Sequence, residues 1–537
     1  MDETTGKPVL CPNAAGYGAG RENKGVWRAG ETDGEGAEGV CGGGKKSVNI
    51  DERIVNIKKR FDSYSALKDI ENTEGCIEEA EKIVKDINLS HHEKAELYYS
   101  IATAYADLET FKYEHRLDEE AISLQEKSIY NFRAALDELE FEDLDDIANG
   151  IYQQLYTNAG NTYSRFGRFI EAFNLYRKAS EKYGIFPMAL ANEGQLALEY
   201  SNLFYDKSQT QIFYHYAYHC LKKSLIYKYY LDAHGAGKHF EDLFNELEKI
   251  YPKEFFENKL DFSGYNYGKT KKEQQYKMWV AENRLFLNPL NDISKQAVAA
   301  IDYLHLPGLV YLNDQYKFEF HYGLFNQIKQ EYISARYLFY EGIQIRKSTH
   351  IADKDVWLIE IGDSVNSYSD FSIRTSFRIL YALFDRIAFF INDYFDLGID
   401  VGKVSFKKIR KNEKMKNICM NNFMMYAVYW LSKDFYQDGE ITTKPNSKKI
   451  DELRNYMEHR YVASTLFDDK QDNNMIKYVS TVDLYRHTID LLKTIRELII
   501  YLVLGINIEE NQKRKQAHEK GLKLKKINTR IMKDDWK

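Results

Sequence analysis

The chain has 537 residues, 44% of them hydrophobic and 29% charged, with a formal net charge of -7. That length predicts two or three domains, and the apolar share excludes a disordered polyampholyte. The acidic balance excludes a bulk nucleic-acid coat.

Five cysteines (Cys11, Cys41, Cys76, Cys220 and Cys419) stand far apart, with no CxxC or CxxH pairing. They read as free thiols in a reducing cytosol rather than as a disulfide framework or a zinc site. The most apolar run, Leu498 to Leu504, is far shorter than the about 18 residues a bilayer crossing needs. The opening residues lack a basic-then-apolar leader. A cytoplasmic chain without a membrane span, a cofactor or a metal is expected.

Residues 1–48 hold 12 of the 31 glycines and no sustained apolar period. They read as a disordered segment, either a functional tail or a non-native addition ahead of a fold that begins near Ser47. From residue 49 onward there are only five prolines, and apolar residues recur at i, i+3, i+4. An all-α chain is expected.

Within 49–260, the run YTNAGNTYSRFGRFIEAFNLYRKA places Tyr156, Ala159, Gly160, Tyr163, Gly167, Ala172, Tyr176 and Ala179 as small and aromatic residues alternate in a tetratricopeptide helix pair. Gly194 follows 34 residues after Gly160, which is that repeat's period. An earlier copy begins near residue 98, with Ala102 in the crossing position. A small residue where two helices cross lets them approach, and the next aromatic fills the groove. This predicts a short tetratricopeptide-like solenoid, serving either as a docking surface for a protein partner or as a spacer or oligomerisation scaffold.

Residues 261–369 read as a connector containing a helix over 325–343, a turn at LNPLND (287–292) and a short extended segment at VWLIEIG (356–362). Residues 370–506 predict a four-helix bundle with helices over 375–395, 417–436, 450–464 and 481–505. A tail over 507–537 carries ten Lys/Arg against three Asp/Glu from residue 511 on. It suits either an RNA-steering arm or a solvated helix end.

In the third of these helices, LRNYMEHRY gathers Arg454, Asn455, Glu458, His459 and Arg460. An imidazole with an ordinary pKa of about 6.5 can move protons to and from ribose oxygens, and a guanidinium can hold the scissile phosphate. Asn455 and His459, four residues apart, would share a helix face. Glu458 stands four residues after Arg454 and would simply pair with it in an ion-pair cluster without chemistry.

An RNxxxH motif inside such a bundle resembles the HEPN family. LFDRIAFFINDYF (383–395), YWLSKDF (429–435), YKMWVAENRLFLNPLND (276–292) and NQIKQEYISARYL (326–338) look like further blocks of one large bacterial HEPN subfamily. The resemblance implies that Arg454 and His459 are catalytic, that Asn455 is the polar second position and that Asp385 supports the site. It further implies a homodimer in which two motifs face one cleft and cut RNA without metal, leaving 2′,3′-cyclic phosphate ends, in antiphage defence or a toxin-like role. Two other outcomes stay open: a non-catalytic adaptor or dimerisation scaffold, or a bundle modified by a nucleotide at Tyr456 or Tyr461. GKTKK (268–272) lacks the upstream glycine of a phosphate loop, His91 and His92 read as a helix start, and the 42 tyrosines read as core and groove residues.

Overall fold

A computed structural model describes residues 51–113, 119–140, 149–310, 315–346, 350–356, 364–434, 452–457, 461–465, 472 and 475–522. The expected glycine-rich segment, the extended run at 357–362 and the basic residues beyond 522 lie outside them. The described residues form an all-α protein with one two-stranded sheet.

Helices α1 (Glu52–Leu67) and α2 (Ile70–Ile83) pack with α3 (His91–Tyr113) around a small core of Ile57, Phe61, Ile77 and Leu97. Asp51 and Asp69 cap the first two helices by accepting amide protons with their side chains. Three hairpins then follow: α3 with α4 (Glu119–Glu140), α5 (Asn149–Arg165) with α6 (Phe169–Glu181), and α7 (Pro187–Ser201) with α8 (Lys207–Ser224).

Each crossing falls on the small residue picked out in the sequence. Ser128 Oγ donates to Ala102 O at 2.9 Å. A Cβ on Gly160 would lie 2.6 Å from the Tyr176 ring, and one on Gly194 would lie 3.0 Å from Leu221. Larger side chains there would drive the paired helices apart. Short helices α9 (Lys228–Ala233), α10 (Gly237–Ile250), α11 (Lys253–Glu257) and α12 (Lys271–Glu282) complete this half.

The C-terminal half is helical as expected, but its helices are drawn differently. After the one-turn helix α13 (Leu290–Ile293) comes α14 (Gln315–Ile345), followed by α15 (Tyr368–Tyr394). These two are joined by small residues: Ser369 Oγ donates to Gly342 O and Ser376 Oγ to Ala335 O, both at 2.8 Å. The helix expected over 417–436 is broken into α17 (Glu413–Asn421) and α18 (Phe423–Lys433), after the one-turn α16 (Phe406–Arg410). Asn422 causes the break: its side chain accepts the Met425 amide and donates to Gly505 O at 2.8 Å.

The helix expected over 450–464 is not formed as such. Residues 452–457 make a short helix α19, and Tyr461–Thr465 make a strand, β1, paired in parallel with β2 (Ile476–Ser480). The run YVAST carries a β-branched residue near each end and suits a pleated, half-buried surface better than a helix. The long helices that pack together are therefore α14, α15, α18 and α20 (Thr481–Glu519). Helix α20 runs past the expected end of the bundle. Glu510, fully buried within the expected basic tail, accepts from the Tyr394 hydroxyl and the Lys513 ammonium, so the first turns of that tail are packed rather than free.

One apolar core runs from Ala95 through Ile506, joining the hairpins to the C-terminal helices. Phe166 stacks on Trp430 with ring centroids 4.5 Å apart, and the Ile170 amide donates to the Tyr501 hydroxyl at 3.1 Å. Gly167, at φ +74°, lets α18 approach: a Cβ there would meet Phe423 O at 2.9 Å.

LNPLND, expected as a turn in a connector, bends into the one-turn helix α13 and is buried. Asn288, Asn291 and Asp292 are at most 1% exposed. Arg496, from the most apolar stretch of α20, donates to Phe286 O at 2.6 Å, Asn288 O at 3.0 Å and Asp292 Oδ1 at 2.7 Å. These bonds satisfy polar groups that would otherwise be costly to bury.

Candidate functional site

The segment that carries Arg454 packs along the first half of α15 and beside α20. Leu453, 2% exposed, anchors α19 in the core. Lys477 on β2 holds it from the other side, pairing with Glu452 at 3.3 Å and with Asp472 at 2.5 Å. These carboxylates raise the Lys477 ammonium above its ordinary value against the opposing effect of burial.

Strand β1 is tied to α15 through Arg374, which donates to Val462 O at 3.1 Å and pairs with Asp370 at 2.5 Å. Burial pushes the Asp370 carboxyl up, opposed by that arginine. At its other end β1 meets a short antiparallel bridge from Ser364, where Val365 N donates to Ser464 O at 2.6 Å. Strand β2 runs directly into α20, whose N-terminus Ser480 caps by accepting the Asp483 amide at 3.0 Å.

Arg454 is half-buried, with its guanidinium 5.3 Å over the Tyr381 ring, and Nη1 donates to Asn455 Oδ1 at 2.9 Å. A planar cation held on an aromatic face keeps part of its donor fork turned outward, the arrangement suited to an oxyanion. Asn455 itself is exposed. The structure thus brings Arg454 and Asn455 together.

His459, Glu458 and Arg460 lie outside the described residues, between α19 and β1. The shared helix face expected for Asn455 and His459 assumed a helix running on through 464, and β1 replaces that helix. Asp385 sits four residues, about one helical turn, beyond Tyr381 on α15. Its carboxylate accepts the Phe406 amide at 3.1 Å, at the start of α16. Tyr456 packs against the core, while Tyr461 is 42% exposed.

Tyr381, Arg374 and Lys477 support the site without having been read from sequence. The basic and histidine runs set aside from sequence are structural. Thr270 caps α12 by accepting the Glu273 amide at 3.2 Å, and His91 pairs with Glu138 at 2.6 Å. Cys76, Cys220 and Cys419 are buried, and burial raises the Cys220 and Cys419 thiols. Among the described residues no helix is long and apolar enough to cross a membrane.

Neither a curated protein nor a solved structure matches the chain at a significant level. Residues 313–509 match the family model described as LA2681-like HEPN. That span reaches upstream of residue 370 to take in α14, in keeping with the close packing of α14 on α15. Residues 313–509 are thus similar to the LA2681-like HEPN family.

Proposed function

We propose that the chain is a metal-independent endoribonuclease of the HEPN type, acting as a homodimer in the cytoplasm. The observation that carries this reading is the Arg454 guanidinium, braced on Tyr381 and linked to exposed Asn455 at the edge of the HEPN domain. In this reading Arg454 holds the scissile phosphate and disperses the charge that develops on it. His459 removes the ribose 2′-hydroxyl proton. The 2′-oxygen attacks phosphorus, the P–O5′ bond breaks, and the imidazole of a second copy protonates the leaving 5′-oxygen, giving a 2′,3′-cyclic phosphate and a 5′-hydroxyl. Asn455 orients the imidazole or the phosphate, with Glu458, Arg460 and Asp385 in supporting places.

The hairpins from α3 to α8 are read as tetratricopeptide-like repeats that sense or dock a protein partner. In this reading the nuclease serves in antiphage defence or in toxin-like control. The test is RNA cleavage by the purified chain in EDTA. Loss of cleavage in His459→Ala, with an unchanged melting curve, is the expected result, and retained cleavage overturns the assignment. A second reading, an adaptor or dimerisation scaffold, draws support from the shared core, which fuses hairpins and HEPN helices into a single platform. Dimerisation without RNA binding, and without toxicity on overexpression, would favour it.

A further inference from the structure

Where the hairpins meet α20, two helix faces form the walls of an open cleft of about 220 Å³. Helix α6 offers Glu171, Asn174, Leu175 and Lys178, and α20 offers Asp490, Lys493, Thr494 and Glu497. Both sets follow i, i+3, i+4, i+7 spacing, so each lies along one helical face. At the floor Arg133 and Arg168 are taken up by Asp434, at 2.7 Å each, and Arg168 also pairs with Glu171. Glu497 is 7% exposed, lines the cleft and makes no hydrogen bond or ion pair among the described residues. A carboxyl buried to that degree is ordinarily paired, because leaving it ionised and unpartnered is costly. Arg133 and Arg168 are engaged by Asp434 and Glu171, although Arg168 Nη1 keeps a buried N–H without a hydrogen-bond partner; neither arginine pairs with Glu497, which leaves its carboxyl open to a cation from outside.

We propose that this cleft binds a small organic cation whose guanidinium or ammonium head pairs with Glu497 and whose far end carries an anionic group. The exposed lysines supply the second half of the recognition. Lys493 stands four residues from Glu497, and Lys178 seven from Glu171, which is about 6 and 10 Å along their helices. That spacing matches a free amino acid with a basic side chain better than a bare ion. Among the described residues no group of three or more His, Cys, Asp or Glu is placed to hold a metal.

Burial, then the neighbouring Glu171, raises Glu497 well above the carboxylate range, against Arg168 and Arg496, with Asp292 adding to the rise. The empty site therefore favours the protonated acid, and a bound cation favours the carboxylate. Binding accordingly releases a proton and tightens as pH rises.

The test is isothermal titration of the full chain with L-arginine, agmatine and L-citrulline in two buffers of different ionisation enthalpy. Saturable arginine binding with proton release is expected, with no binding of the neutral-headed citrulline and at least about tenfold weakening in Glu497→Gln. That variant is near-isosteric with the protonated acid and removes no pairing partner, so cooperative melting is expected to persist. Lys493→Ala, an exposed change, is expected to weaken arginine but not agmatine, which lacks the carboxylate. No arginine or agmatine binding at about 10 mM, equal binding of citrulline, or unchanged affinity in Glu497→Gln overturns the proposal. Agmatine binding as tightly as arginine overturns the anionic end of the ligand. None of these readouts involves RNA, so the result stands apart from the nuclease reading.

Discussion

The seam between the hairpins and α18 and the layer that carries Arg454 are built on opposite plans. At the seam, Asp434 receives two arginines from the hairpins, Trp430 stacks on Phe166, and a backbone amide reaches Tyr501, all within a continuous core. Around Arg454, a six-residue helix and a parallel strand pair are anchored by buried Leu453, Val462 and Val479 and tied down by Lys477 and Arg374. The seam buries its charged groups, whereas the layer buries its apolar residues and leaves Arg454 half-buried and Asn455 exposed. Substitutions at the seam should therefore cost stability, and those in the layer should cost activity.

The sharpest break of that comparison is Asp434→Ala. It leaves Arg133 and Arg168 buried without their shared carboxylate, and a loss of about 3–5 kcal/mol is expected in chemical unfolding. Gly160→Leu comes next. Its side chain would enter the space held by the Tyr176 ring, at a cost of about 1–3 kcal/mol in the same measurement.

The pH profile sharpens the seam further, because its acids act with opposite sign. Burial works to raise Asp434, but Arg133 and Arg168 outweigh it and hold the group well below the carboxylate range. Its contribution is present above the unfolded-state value of about 3.9 and is lost as pH falls toward the depressed folded value. Glu497 is raised, so the native state keeps a proton that the unfolded chain releases above about 4.3. Stability from that group falls as pH climbs from there toward the raised folded value. Glu497→Gln should flatten this second slope in melting curves taken from acid to neutral pH, while leaving the acid-side loss in place.

The smallest stability effect belongs to the layer. Arg454→Ala removes a half-buried cation from one ring face and should cost no more than about 1 kcal/mol. RNA cleavage should nonetheless fall by about a hundredfold or more.

The same contrast explains what the sequence disclosed. Gly160 and Gly194 could be placed from their spacing because a helix crossing is a local packing need that recurs with the repeat. Helices α15 and α20 announced themselves by apolar stripes. LNPLND read as a turn at a connector because its Asn and Asp residues are satisfied by Arg496, some 200 positions away, and nothing local reveals that partner. The helix expected over 450–464 failed because charged residues at helical spacing in LRNYMEHR flow without punctuation into YVAST. The strand is specified by its pairing with β2, which is a tertiary event. Arg454 and Asn455 were singled out from their chemistry, whereas Tyr381, on which the arginine lies, was not, because one aromatic among 42 tyrosines carries little information.

The most direct measurement is the chemistry of the ends left when the purified chain cuts an RNA in EDTA, compared with the same RNA carrying a 2′-deoxy sugar at the cut nucleotide. The account predicts a 2′,3′-cyclic phosphate and a 5′-hydroxyl from the first and no cut at that position in the second. Cleavage of the deoxy-substituted strand at an equal rate, or a product bearing a 5′-phosphate, would contradict it.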